Sequence, residues 1–140
     1  MPLQTATPAE FPSSVLTLQS EHDFQTTIGR LKENLKLRGV TLFAEIDQAA
    51  AAAQVGMQLR PTTVLLFGNP LAGTPVMDAN PYAALALPLK AVIWEDEREA
   101  VHIAYEDVAK TLGPQYGITS SLYAPLAGMP ALFRLIAGLG

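Results

Sequence analysis

The chain has 140 residues, a net charge of −4 and no cysteine; 49% of its residues are apolar and only 16% are charged. The length indicates one domain with a core large enough to fold without a metal or a disulfide, and the acidic balance argues against a nucleic-acid partner, because phosphate binding needs clustered Lys and Arg. Since about a quarter of the residues are charged in ordinary globular domains, the shortfall predicts apolar surface buried against a second copy. We therefore expect a homo-oligomer, most simply a dimer.

The chain begins with a strand and a long amphipathic helix. Residues 15–18 are rich in β-favourable side chains and follow a polar, Pro-containing stretch that predicts a flexible N-terminal tail over residues 1–14. Ser20 and Asp23 resemble a capping box, and Gly39 is typical of the position just after a helix. Between them, apolar residues recur at helical spacing and define one buried face, formed by Phe24, Ile28, Leu31 and Leu35.

The middle of the chain alternates strands with short helices. Residues 40–46 predict a second strand, and Asp47 is placed to cap an Ala-rich helix over residues 48–55. A third strand, 62–67, ends abruptly in Gly-Asn-Pro, and a short helix is expected over residues 71–78. This turn delivers a helix N-terminus, where backbone N–H groups point outward unpaired.

The last third of the chain predicts a hairpin and terminal helices. Residues 88–95 and 100–105 form two strands joined by a charged turn over residues 96–99, so these strands must be antiparallel. Glu106 or Asp107 is expected to cap a helix that runs to Leu112.

The C-terminal segment is apolar, but Pro and Gly interrupt it. The uninterrupted helical part, 131–139, is far shorter than the ~20 residues of a membrane span, so we expect a docking helix and no membrane association. No secretory signal is visible, and a cytoplasmic protein is expected. The predicted organisation is a tail (1–14), a single domain (15–118) and an apolar helical extension (119–140).

Together these elements predict an α+β fold. The order β-α-β-(α)-β-(α)-β-β-α, followed by a C-terminal helix, does not alternate regularly, which disfavours a doubly wound parallel sheet. A two-layer domain fits better, with helices packed on one face of a curved, mainly antiparallel sheet.

An ordered series of short motifs resembles a known family. The series comprises Phe43-Ala44-Glu45-Ile46-Asp47, Gly56-Met57, Leu59-Arg60-Pro61-Thr62, Phe67-Gly68-Asn69-Pro70, Gly73-Thr74-Pro75 with Met77, and Leu87-Pro88-Leu89-Lys90 with Trp94-Glu95-Asp96. It is similar to the family catalogued as domain of unknown function 302. The resemblance extends over about residues 15–118, implies a two-layer α+β domain with a curved antiparallel sheet, and supports a dimer; it implies no activity.

Two positions depart from the pattern that the resemblance implies. Relatives tend to have His where this chain has Gln48 and Tyr116. If those histidines form a metal or acid–base site in relatives, this chain has replaced both, so we expect no such site here.

The strand-to-helix turn is the candidate ligand site. Free amides after Gly68 and Asn69 would face an anion, with a hydroxyl from Thr74 and charges from Arg60, Lys90 or Glu45 nearby. The alternative is that Asn69 merely starts a helix, which the absence of a Gly-rich, Lys-containing phosphate loop favours. Because the sequence shows this turn but no catalytic constellation, we expect a homo-oligomeric domain that binds a small anionic ligand without evident catalysis.

Two other function classes remain open. An enzyme would use Glu45 or Asp47 as acid or base, with or without a metal, although Asp47 is better read as a helix cap. The two histidines, His22 and His102, lack any metal-ligand spacing, and no cofactor or metal is predicted.

A purely structural or assembly subunit is the third class. The C-terminal helix carries an apolar face that could cover the core, but the low charge content favours a subunit interface. The residues of this face are Met129, Leu132, Phe133 and Ile136.

Overall fold

The computed structural model describes residues 14–139, which form a five-stranded sheet with helices. The strands lie in the order β1-β5-β4-β3-β2, and every neighbouring pair is antiparallel. Their bounds are β1 (Val15–Ser20), β2 (Thr41–Asp47), β3 (Thr62–Gly68), β4 (Leu89–Glu95) and β5 (Val101–Glu106). The predicted α+β class with an antiparallel sheet is confirmed, and the predicted tail falls almost wholly outside the described residues.

Six α-helices and two short 3₁₀ helices, Pro81–Ala86 and Ala124–Leu126, are found within residues 14–139. The α-helices are α1 (Phe24–Leu37), α2 (Gln48–Gln54), α3 (Pro70–Ala79), α4 (Val108–Tyr116), α5 (Ser120–Tyr123) and α6 (Met129–Ile136).

Side-chain caps start four of these helices, which is why the local sequence located them well. Asp23, Asp47, Asn69 and Asp107 each accept a hydrogen bond from a backbone N–H in the first turn of the helix that follows. The predicted capping box was wrong in one respect, because Ser20 does not cap α1. Its hydroxyl is buried at the end of β1 and lies 2.8 Å from the Thr27 hydroxyl.

Helix α4 is longer than the sequence indicates. The predicted helix ends at Leu112, whereas the observed helix continues through Gly113 and Pro114, which disfavour helix, to Tyr116 and is capped by Gly117, whose φ is +64°. Tyr116 is partly buried against the apolar cluster that α4 helps to form, and this packing outweighs the local preference.

One face of the sheet carries the main core. Alternate residues of β3, β4 and β5 point into it and pack against Leu31 and Leu35 of α1 and against α6. A second cluster joins α3, α4 and both 3₁₀ helices, and Leu89 at the start of β4 packs against both clusters. On the other face, most alternate residues of the same three strands are partly buried, and Lys90 and Glu106 are exposed.

Helix α6 belongs to the core. Leu132, Phe133 and Ile136 have no exposed surface, and the Phe133 ring stacks on Tyr105 with ring centroids 4.3 Å apart. These three side chains have no surface left with which to contact a second copy, so their predicted role as an interface is corrected to covering the sheet. Met129 is partly buried against the same cluster.

Candidate functional site

The Gly68–Asn69–Pro70 turn starts α3 as predicted, but its amides are already used. The Asn69 side-chain oxygen accepts from the Leu71 N–H at 3.0 Å, and the Asn69 carbonyl accepts from the N–H groups of Ala72 (2.9 Å) and Gly73 (2.8 Å). Pro70 has no N–H to offer. The groups expected to hold an anion therefore cap the helix instead.

The structure separates the residues that we expected to surround this turn. Arg60 precedes β3 and Asn69 follows it, so the whole seven-residue strand lies between them, roughly 23 Å at about 3.3 Å per residue. Arg60 instead lies over the Trp94 ring, 5.9 Å from its centroid, and Thr74 is exposed on α3. Arg60 is therefore too far from Asn69 to share a ligand with it, because a strand of this length exceeds the reach of an arginine side chain.

The two carboxylates of the predicted catalytic pair each have a structural partner. Glu45 forms an ion pair with Lys32 of α1 at 2.9 Å. Asp47 accepts a hydrogen bond from the Ala50 N–H at 2.9 Å and caps α2. Both contacts lie where β2 ends and α2 begins.

A cavity of about 300 Å³ opens where β1 begins and β5 ends, and we call it the end cavity. Its walls come from the sheet, α4, α6 and the Pro81–Ala86 helix, and most of them are apolar, including Val15, Val92 and Met129. The polar side chains among its lining residues are Lys90, Tyr105, Glu106 and Thr111. Of the residues predicted to bind a ligand, Lys90 alone lines this cavity.

The charges of the end cavity are not paired with each other. Because Ala91 pairs with Tyr105, the antiparallel register carries Lys90 to the position opposite Glu106. Among residues 14–139, however, neither side chain takes part in an ion pair within 4.0 Å. Burial, together with the nearby Asp107 carboxylate, raises the pKa of Tyr105, so its phenol keeps the proton and can donate it in a hydrogen bond.

A second cavity, of about 350 Å³, lies beside the strand-to-helix turn, and we call it the apolar cavity. Gly68 and Asn69 line it, together with Phe43, Gly73, Met77 and Leu87. The location of the predicted site at this turn thus coincides with a real cavity, but none of the side chains that line it carries a charge.

Sequence reasoning missed a polar and aromatic cluster on the partly buried face of the sheet. The His102 ring donates to the Asp96 carboxylate at 2.7 Å and stacks on Trp94 with ring centroids 4.6 Å apart. This hydrogen bond from His102 holds the pKa of Asp96 below its usual value. The hairpin register, which sets Trp94 opposite His102, was the signal that could have revealed the cluster.

The remaining histidine lies elsewhere. His22 precedes the cap of α1, and its Nε2 atom is buried without a hydrogen-bond partner. In residues 14–139, no three His, Asp or Glu side chains come together in a way that could hold a metal ion. Gln48 and Tyr116 lie at the start of α2 and the end of α4.

This chain is similar in sequence and in fold to known proteins. A family model described as "Domain of unknown function DUF302" matches residues 16–129. This chain belongs to the DUF302 family. A solved structure, the crystal structure of an uncharacterised conserved DUF302 protein from Bacillus stearothermophilus, superposes with a TM-score of 0.75 over 91% of this chain and 98% of that chain. The two sequences are 19% identical, so this similarity supports the fold alone.

Longer relatives carry a related segment. A protein of Brucella suis named fluoride-specific ion channel FluC 1 is 35% identical over 97 residues, which are 69% of this chain and 38% of that protein. A Brucella abortus protein of the same name is 35% identical over 97 residues and is matched over 36% of its length. The chain therefore spans well under half the length of these relatives. Within residues 14–139, none of the helices has the length and apolar character needed to cross a membrane.

Proposed function

We propose that this DUF302 chain is a small-ligand-binding domain without catalysis of its own, and that its ligand is an anion with an apolar body held in the end cavity. The observation that carries the proposal is the composition of this cavity. The Lys90 ammonium, which has no ion-pair partner among residues 14–139, is the cationic group among lining residues that are mostly apolar. The Tyr105 phenol reaches the cavity from the opposite, core-facing side of the sheet. Ligand sites typically combine a mainly apolar concave surface with a few polar groups that orient the ligand.

Lys90 defines what the ligand must offer. It supplies the positive charge of the site, whereas Tyr105 belongs to the core-facing side of the sheet and the Thr111 hydroxyl already donates to the Asp107 carbonyl at 3.3 Å. A carboxylate matches Lys90, because its charged oxygens accept hydrogen bonds from an ammonium group. The Brucella relatives are named for fluoride, which is also an anion. A fluoride ion would leave most of a 300 Å³ cavity empty, so the volume favours a carboxylate with several carbon atoms.

Glu106 tunes the affinity of this site. Its carboxylate lies across the strand pair from Lys90 and opposes an incoming anion. Removing this charge should therefore strengthen anion binding, whereas removing Lys90 should abolish it.

Isothermal titration calorimetry at pH 7 tests the proposal, with hexanoate as the ligand in one titration and fluoride in another. Lys90→Met should weaken hexanoate binding by at least about tenfold, and Glu106→Gln should strengthen it about fivefold, as one partly exposed charge interaction of about 1 kcal/mol would do. Tyr105→Phe keeps the ring stacked on Phe133 and removes only the phenol O–H group. Lys36→Met, which removes an exposed charge of α1 outside the cavity, is the matched control.

Unchanged hexanoate binding by Lys90→Met would refute the proposed site. Saturable binding of fluoride with no binding of hexanoate would refute the proposed ligand class.

We also propose that the chain forms a homo-oligomer through β2 and α2. Strand β2 lies at an edge of the sheet, and α2 has no buried residue although five of its seven residues are alanine. Short helices are unstable in water unless an apolar face is packed. Three large apolar side chains of this segment are also exposed, Ile46 by 41%, Val55 by 73% and Met57 by 65%.

A second copy that packs on this segment would cover these side chains and the alanine helix. Native mass spectrometry tests the proposal, with Met57→Lys and Val55→Glu as interface variants. Leu37→Glu is the matched control, because Leu37 is 77% exposed at the end of α1. We expect the two interface variants to be monomeric and the control to keep the wild-type mass; a monomeric wild-type protein would refute the proposal.

A further inference from the structure

The apolar cavity differs from the end cavity in the chemistry of its lining residues. Its lining residues come from β2, the Gly68–Asn69–Pro70 turn, α3, the Pro81–Ala86 helix, the start of β4 and Leu126. They include no charged side chain, and Asn69 is the single polar one among them. The oxygen of that side chain is engaged in capping α3, so the cavity offers at most the two N–H donors of its amide.

The apolar cavity is open to solvent on one side, and water inside it finds few polar partners. An apolar group that displaces such poorly ordered water gains affinity. An engineered apolar cavity of about 150 Å³ holds one benzene molecule. On that scale, a cavity of about 350 Å³ has room for a fused two-ring molecule or for an aliphatic chain of similar volume.

Small residues keep this space open. A Cβ atom added at Gly73 would lie 3.8 Å from both Leu87 and Met77, which are ordinary contact distances with two side chains of the cavity wall. Glycine in a helix interior costs about 0.5–1 kcal/mol relative to alanine. Gly73 is therefore not needed to avoid a clash, and its lack of a side chain leaves volume in the cavity.

The wall of the cavity also exposes an aromatic ring. Phe43, which lines the cavity, is 55% exposed although it is a large apolar side chain. A bound apolar molecule would cover part of this exposed surface.

We propose that the apolar cavity is a second binding site, which takes an uncharged, largely apolar small molecule with no more than one hydrogen-bond acceptor. The site is independent of the anion site, because the two cavities share only Leu89 among their lining residues. Asn69 supplies the amide that would orient the acceptor, and the rest of the affinity comes from apolar burial.

A titration of ¹⁵N-labelled protein with 1-naphthol tests the proposal, with 1-naphthalenesulfonate as the charged probe of the same ring system. We expect 1-naphthol to shift the amide signals of Gly68 and Gly73 in a saturable way and the sulfonate to bind at least about tenfold more weakly, since no cation lines the cavity.

Two filling variants on different elements locate the site. Gly73→Met on α3 and Ala84→Leu on the 3₁₀ helix should each weaken 1-naphthol binding at least about tenfold, and both should leave hexanoate binding unchanged. Gly29→Met is the matched control, because it adds the same side chain on α1, where an added Cβ meets nothing within 4 Å. Lys90→Met should have the opposite profile and impair only hexanoate binding.

Three outcomes would overturn the proposal. The first is the absence of saturable shifts at Gly68 and Gly73. The second is a set of shifts confined to the end cavity, which would assign the ring to the other site. The third is a dependence of the Gly73 signal on protein concentration without any probe that persists in the Met57→Lys variant, which would show that a second copy occupies the apolar cavity.

Discussion

The replacement Phe133→Ala tests whether α6 completes the core or serves another subunit. Phe133 has no exposed surface, and its ring contacts two aromatic neighbours: it stacks on Tyr105 at 4.3 Å and meets Phe67 edge-on at 6.3 Å. Loss of a buried Phe side chain costs about 3–5 kcal/mol, and aromatic pairs contribute about 0.5–1.5 kcal/mol beyond their buried area. With two such pairs, we expect a loss near the upper end, about 4–5 kcal/mol.

Urea unfolding at equilibrium measures this loss, with the midpoint and the slope fitted separately. Leu135→Ala is the matched control, because Leu135 lies on the same helix and is 41% exposed. This control should cost no more than about 1 kcal/mol. Phe133→Leu should fall between the two, since it keeps most of the apolar volume and loses both ring contacts.

The reasoning fails if Phe133→Ala lowers the free energy of unfolding by less than about 1 kcal/mol while the protein changes from oligomer to monomer. That result would return the face of α6 to the interface role that the sequence first suggested.

Three further changes probe caps and charges. Asn69→Ala should destabilise the protein by about 1 kcal/mol through the lost cap and leave hexanoate binding intact, and a loss of binding in calorimetry would contradict the cap assignment. Arg30 donates to two carbonyls at the end of α6 (2.9 and 2.8 Å), so Arg30→Met should cost about 1–2 kcal/mol in urea unfolding, and no change would show that these bonds are not made. The hydrogen bond from His102 holds the pKa of Asp96 below 3.8. The contribution of the ionised carboxylate to the free energy of unfolding is therefore complete above pH 3.8 and is lost as the pH falls through the lowered pKa. Asp96→Asn should therefore flatten the acid limb of a stability–pH curve, and an unchanged limb below pH 4 would refute this linkage.

Local signals were sufficient wherever a few neighbouring residues decide the structure. Asp47 and Asn69 cap their helices, and Gly39 adopts a φ of +69° just after α1, because each of these roles depends on the chemistry of one side chain and its adjacent amides. The hairpin of β4 and β5 was likewise predicted from a charged turn between two apolar runs.

The candidate site was harder because its residues are distant in sequence. Lys90, Glu106 and Thr111 line the same cavity only after β4 and β5 have paired and α4 has folded back on the sheet end, and no spacing in the chain encodes that arrangement. Arg60 and Asn69 show the converse, since two residues nine positions apart lie at opposite ends of one extended strand.

The sequence by itself determined the α+β class, the positions of the four helices that begin with a side-chain cap and the order of the strands along the chain, because periodicity and capping are local properties of the backbone. Only the tertiary structure decided that α6 is buried, that the amides of the Asn69 turn are used internally, and that two cavities of different polarity flank the helical cluster. An apolar helix face has the same sequence pattern whether it covers its own sheet or a partner subunit, and only packing in three dimensions distinguishes the two.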